Sequence, residues 1–237
     1  MIYILDLLEF QVLASARNMD SYYGFAREKA AAREEVYYTI YQMTRSGILK
    51  QEKGELVIQP PFSGFFDEIK KSSCVLVIDR GGYVLPRQCI YFGGGQYLCI
   101  EYCSTDQDRI SMCGMEEEEF FLQLTELNQL PEPRLTQETG SYNFTEYWES
   151  HLQEELREIS SQGEGQEREE YPEWSQVHSV FTLRDKETGR ILARMILAEL
   201  PLEYCMILKK PGEPAVREPY IREKAWEILK AWWRNEG

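Results

Sequence analysis

Six cysteines, two histidines and a Gly-Gly-Gly run are the residues of this 237-residue chain whose types and spacing invite a chemical reading. Cys74, Cys89, Cys99, Cys103, Cys113 and Cys205 contain no Cys-x-x-Cys pair, and His151 and His178 are the only histidines. A tetrahedral zinc set is therefore not spelled out, and no metal is expected. Neither histidine has a Gly-x-Ser-x-Gly or an obvious nucleophile nearby, so a hydrolytic triad has no local support, and both read as ordinary, partly exposed side chains. Gly93 to Gly95 open no helix and lack a following Lys-Ser or Lys-Thr, which removes a phosphate loop and leaves a hairpin turn. With 40 Asp and Glu some carboxylates always lie close together, so a glycosidase-like pair cannot be read from their presence. No catalytic, cofactor-binding or metal residue is assigned. The chain reads as non-enzymatic, and an enzyme using scattered carboxylates would need a deep cleft with converging acids.

The thiols are expected to be free, because no export signal precedes a core large enough to stand without staples. If Gly93 to Gly95 form the whole hairpin loop, residues 92 and 96 pair, and Cys89 falls opposite Cys99, where a disulfide is geometrically thinkable. Cys99 and Cys103, four apart on a strand, share a face. Asn143-Phe144-Thr145 matches a glycosylation sequon, but Asn143 with Glu146 reads better as a helix cap.

A hydrophobic share of 43% against 28% charged residues is enough apolar material for a sizeable core and excludes wholesale disorder. The net charge of −14 repels phosphate backbones and anionic lipid at long range, so no nucleic-acid partner is expected. Its distribution is uneven: residues 104–173 hold 4 basic and 19 acidic side chains, while the flanking segments are nearly neutral. That acidic centre reads as a solvated helix face plus a connector, or as a patch that steers a basic partner. No run of apolar residues is long enough to span a bilayer, so no membrane insertion is expected. The opening residues lack a basic region and a cleavage site, and the chain reads as soluble, non-exported and cytoplasmic.

Periodicity places the elements. Leu5, Leu8 and Val12 predict a helix over about 5–16, and Val36, Ile40 and Met43 one over Ala30 to Arg45, stopped by Gly47. Ile48 to Gln51 and Glu55 to Gln59 flank Lys53-Gly54 as a small ribbon. After Pro61, Ser63 can cap a short helix carrying Phe66 and Ile69. Cys74 to Arg80, Tyr83 to Phe92, Gln96 to Cys103 and Arg109 to Cys113 are short apolar runs with short connections, which predicts an antiparallel meander. Pro86 makes its strand an edge there, or delays the pairing. A helix over about 116–129 follows, with Phe120, Leu124 and Leu127 inward. Phe144, Trp148, Leu152, Leu156 and Ile159 draw another apolar stripe. Three more strands follow, Val177 to Arg184, Arg190 to Glu199 and Tyr204 to Lys209. A last helix, about Pro219 to Arg234, should bury Ile221, Ala225, Ile228, Leu229 and Trp232.

The fold class expected is α+β. Its parts are a winged-helix-like segment 1–62, a first antiparallel sheet plus helix at 63–130, and a second helix, three-stranded sheet and helix at 143–237. Residues 160–173 form an acidic connector within the last part. Helix, helix, ribbon also raises a winged-helix transcriptional regulator with a ligand-sensing α+β domain. Segment 1–62, however, carries seven basic and eight acidic residues, and Glu34 and Glu35 would open the recognition helix.

The order of features resembles the EspG-type chaperones of type VII (ESX) secretion. Glu9-Phe10-Gln11-Val12-Leu13 is similar to that family's opening Glu-Phe-x-x-Leu. Ala32-Arg33-Glu34-Glu35 leads into the second helix, and Arg45-Ser46-Gly47-Ile48-Leu49 resembles its Arg-x-Gly-Leu, with Ile48 in place of leucine. The likeness covers residues of about 5–130, and the second half in layout. It implies a cytoplasmic, non-enzymatic protein of two quasi-repeated halves that binds helical secretion substrates, PE–PPE heterodimers in the family, and covers an aggregation-prone tip until delivery. No residue motif carries the contact surface, so partner-binding residues stay unassigned, and a homodimer is left open.

Overall fold

The structure, a computed structural model, describes residues 1–19, 22–25, 30–80, 87–103, 106–133, 177–199 and 204–234. The amino-terminal part contains β1 (Tyr3–Asp6), α1 (Leu7–Ala16), α2 (Arg33–Arg45), the ribbon β2 (Leu49–Glu52) and β3 (Glu55–Ile58), and α3 (Phe62–Lys71). A run of strands follows: β4 (Cys74–Arg80), β5 (Gln88–Phe92), β6 (Tyr97–Cys103) and β7 (Asp106–Met115), then α4 (Glu117–Glu126). The carboxy-terminal part contains β8 (Val177–Asp185), β9 (Ile191–Glu199), β10 (Tyr204–Lys209), β11 (Val216–Pro219) and α5 (Arg222–Arg234). The stripe expected over Phe144 to Ile159, the connector 160–173, Asn143, His151 and Pro86 lie outside the described residues.

Among the described residues nine strands form one antiparallel sheet in the order β1-β7-β6-β5-β4-β8-β9-β10-β11, and β2 and β3 pair separately. The α+β antiparallel class expected from the sequence is the architecture found. Its two meanders join edge to edge through β4 and β8, paired from Cys74↔Asp185 to Arg80↔Ser179. Each meander runs outward from that seam and ends in a helix, α4 or α5. Two strands escaped the periodicity reading. β1 is only four residues long and its Leu5 was drawn into the first helix; β11 is equally short and ends on Pro219.

Alternation along the strands sends side chains to two cores. One face buries Leu5, Val75, Val77, Tyr91, Leu98, Ile100, Ile110 and Met112 under Phe10 and Leu13 of α1 and Phe66 and Ile69 of α3. The other buries Leu76, Ile78, Ile90, Cys99, Phe181, Met195 and Met206 under Phe120 and Leu124 of α4 and Ala225, Trp226, Leu229 and Trp233 of α5. In α3, Phe62, Phe65, Phe66 and Ile69 sit at i, i+3, i+4 and i+7, a stripe that fixes its inner face. The open carbonyls of Ile69 and Lys70 at its end accept bonds of 3.0 and 3.1 Å from Lys186 Nζ, which reaches over from the β8–β9 turn. The inner face of α5 is rotated from the expected stripe. Trp226 and Trp233 are buried, Trp232 is partly buried and Ile221 is exposed, because Phe120 and Phe121 of α4 and Tyr97 of β6 stack around the first two.

The β5–β6 register departs from expectation by one residue. Phe92 pairs with Tyr97, so the loop is Gly93 to Gln96, and Cys89 faces Ile100 while Cys99 faces Ile90. A one-residue shift reverses every side chain, so Cys89 and Cys99 lie on opposite faces and cannot form the disulfide considered above. The cause is Glu68 of α3, whose carboxylate accepts the Gly93 and Gly95 N–H groups at 2.9 and 3.4 Å and holds the loop in its wider form.

Tyr91 fastens the loop after α1 to the sheet. Its hydroxyl donates to the Tyr23 carbonyl and accepts from the Tyr23 N–H, both at 2.9 Å, and Tyr102 donates to the Gly24 carbonyl. Tyr91→Phe removes two hydrogen bonds, and urea unfolding should show a loss of about 2 kcal/mol at neutral pH. Burial pushes the Tyr91 phenol well above its ordinary value, and burial raises Tyr220 too. The unfolded chain ionises its tyrosines from about pH 10 while the fold keeps these two protonated, so stability falls as pH rises past that point. Burial raises Tyr22 and Tyr102 in the same direction; Tyr91→Phe deletes one of these groups, and its deficit against wild type should shrink in alkali. A constant deficit across that range would contradict the assignment.

Candidate partner-binding surface

Among the described residues, the face that carries α4 and α5 is left partly uncovered at its β1 end. There the pairing sets Ile4 of β1 beside Ser111 of β7, Ser111 beside Glu101 of β6, and Glu101 beside Gln88 of β5. The polar members form a chain: Ser111 Oγ donates to Glu101 Oε1 at 3.3 Å, Gln88 Nε2 to Glu101 Oε2 at 2.9 Å, and Gln129 Nε2 to Gln88 Oε1 at 2.8 Å. Gln88 and Gln129, the latter from the segment that follows α4, are buried, whereas Glu101 and Ser111 are half-buried. At the outer end, Ile4 is 51% exposed and Ile2, two residues earlier, 68%. β1 is the last strand of the sheet, so its outer backbone groups face away from any ladder partner within it. Arg109 pairs with Asp6 at 3.3 Å beside this ledge. Two apolar anchors, an open strand edge and a polar track suit burial against another polypeptide.

A second exposed patch lies on α2. Tyr37, Tyr38 and Tyr41 project from it, and Arg33 donates to the Tyr37 hydroxyl at 2.8 Å with its guanidinium over that ring. Glu35 accepts the Ala32 N–H at 2.9 Å and so closes the helix start. The helix, helix, ribbon order expected for residues 1–62 is present, but the helix that would enter a DNA groove offers tyrosines and carboxylates to it.

The remaining sequence candidates are scattered. His178 is buried where partial exposure was expected; its Nε2 lies 2.6 Å from the Asn128 carbonyl and its ring stands edge-on to Tyr204. No disulfide joins any of the six cysteines, all of which lie among the described residues. Cys89 lies on the α1 face, Cys74 packs with Leu183 and Ala193, Cys205 pairs with Ala198, and Cys103 follows a register break in β6. Among the described residues no three His, Cys, Asp or Glu side chains gather as a metal-binding group, and no helix is long and apolar enough to cross a membrane. The ledge itself was invisible in the sequence, because Ile4 is exposed only by the place of β1 at the end of the sheet.

No family model and no curated protein matches the sequence. The fold does have a solved counterpart. The Mycobacterium tuberculosis type VII secretion system chaperone EspG5, determined in complex with a PE25–PPE41 dimer, superimposes with a TM-score of 0.52 at 9% identity, covering 97% of this chain and 95% of that one. At that identity the likeness is one of fold, and it runs the length of both chains.

Proposed function

We propose that this chain is a non-enzymatic, cytoplasmic binding protein that chaperones a helical protein substrate of type VII secretion. The observation that carries the reading is the end-to-end fold likeness to a chaperone whose solved complex holds a PE–PPE pair. The amino-terminal resemblance around Glu9-Phe10-Gln11-Val12-Leu13 points the same way, and the uncovered ledge provides apolar surface for a partner. On this reading segments 63–130 and 143–237 are related units that share one sheet, and Ile2 and Ile4 are anchors for the partner.

Crosslinking in the native cell, affinity purification of the chain and mass spectrometry test the proposal. Recovery of a helical protein pair in stoichiometric amount supports it; recovery of DNA or a small molecule in place of protein overturns it. Ile4→Asp sharpens the test. An exposed substitution should move folding stability by no more than about 0.5 kcal/mol, whereas a charge placed on an apolar anchor should weaken partner binding at least ~10-fold, the equivalent of about 1.4 kcal/mol. Unchanged affinity in titration calorimetry would remove the ledge as the contact.

A further inference from the structure

Cys99 of β6 and Cys113 of β7 stand directly opposite each other in the antiparallel ladder. Directly paired residues share a face, and their Cα atoms are about 4.5 or 5.5 Å apart depending on the type of pair, both within the span that a disulfide bridges. No other two cysteines face each other across the strand pairs, among the described residues. The two differ in access. Cys99 is 4% exposed and packed in the core under α4, while Cys113 is half-buried at its margin, beside the ledge. One thiol is open to a small oxidant and the other waits behind it.

We propose that Cys113 is an oxidation site and Cys99 its resolving partner, together forming a reversible cross-strand disulfide in response to a hydroperoxide. The Cys113 thiolate attacks one peroxide oxygen; the S–O bond forms, the O–O bond breaks, and the departing hydroxide (or alkoxide) takes up a proton. Cys99, losing its proton, attacks the sulfenic sulfur, closes the S–S bond and expels the hydroxyl as water. Two thiols and one hydrogen peroxide give one disulfide and two waters, so atoms and electrons balance. Facing Cβ atoms in a ladder lie about 4.5–5.5 Å apart, wider than the ~3.8 Å usual in disulfides, so closure draws β6 and β7 together and leaves a bond that thiols reopen readily.

The folded chain, treated with one equivalent of hydrogen peroxide, quenched and alkylated, is digested and mapped without reduction. The expected result is loss of two of the six thiols, a Cys99–Cys113 linked peptide, and full recovery with dithiothreitol. Cys113→Ser should abolish the link and Cys89→Ser should leave it intact. A link from Cys113 to Cys103, over-oxidation of Cys113 with Cys99 still free, or retention of all six thiols would overturn the proposal. None of these readouts needs the secretion partner, so they stand apart from the binding tests above.

Discussion

Trp233→Ala should cost about 3–5 kcal/mol in urea unfolding, the range for emptying a buried tryptophan site. The indole is 8% exposed and its Nε1 donates to the Tyr97 hydroxyl at 3.0 Å. Its ring stands 5.5 Å from Tyr97 and 6.3 Å from both Phe120 and Trp226. These contacts fasten α5 to α4 and β6, Trp233 and Tyr97 lying 136 residues apart in sequence, and close one core over both meanders. The variant should therefore weaken the whole sheet, and circular dichroism and tryptophan fluorescence should report one shared, lower midpoint. Trp233→Phe separates the contributions: it keeps most of the apolar ring and loses the indole donor, for about 1–2 kcal/mol. Two separated transitions in Trp233→Ala, or a cost below about 1 kcal/mol, would show that α5 does not bind the halves together.

Local signals carried most of the fold. β4, Cys74 to Arg80, is an apolar run bounded by polar residues, and α3 shows its stripe in ten residues. What stayed hidden depends on groups distant in sequence. On α5 the helical period admits neighbouring stripes, and the aromatic residues of α4 select the one bearing Trp226 and Trp233. Ile4 continues an apolar spacing that reads as helix, and nothing local says that Tyr3 to Asp6 will pair with Arg109 to Met112. The thiol pair has the same origin. Cys99 meets Cys113 only in the register that the β6–β7 turn imposes, past the irregularity between Tyr102 and Cys103.

That loop supplies the other large effect. Gly93→Ala should destabilise the fold by about 3 kcal/mol, at the upper end for overpacking, because two of the three atoms a Cβ there would meet, the Glu68 carbonyl oxygen and Lys71 Cβ, are fixed to the α3 backbone. That Cβ would stand 2.8 Å from the Glu68 backbone carbonyl, 2.8 Å from Glu68 Oε2 and 2.8 Å from Lys71 Cβ, all on α3. Helix backbone cannot retreat without dragging Phe65, Phe66 and Ile69 out of the core. The other two glycines answer to different physics. A Cβ on Gly95 meets first the Glu68 Oε1 at 2.7 Å, the end of a side chain that can swing away, so Gly95→Ala should cost about 1 kcal/mol through the weakened carboxylate contact. Gly94 has open space around it but a φ of 102°, so Gly94→Ala costs about 1–2 kcal/mol in backbone strain alone. Removing the carboxylate distinguishes the causes. Glu68→Ala in the Gly95→Ala background should add little further loss, since both changes break the same contact, whereas Glu68→Ala cannot rescue Gly93→Ala because the backbone carbonyl remains in place. Urea midpoints for the three alanine variants, with and without Glu68→Ala, should rank Gly93 as the most costly site; equal costs at all three would mean that the glycines serve only as a flexible turn, with no helix pressed against them.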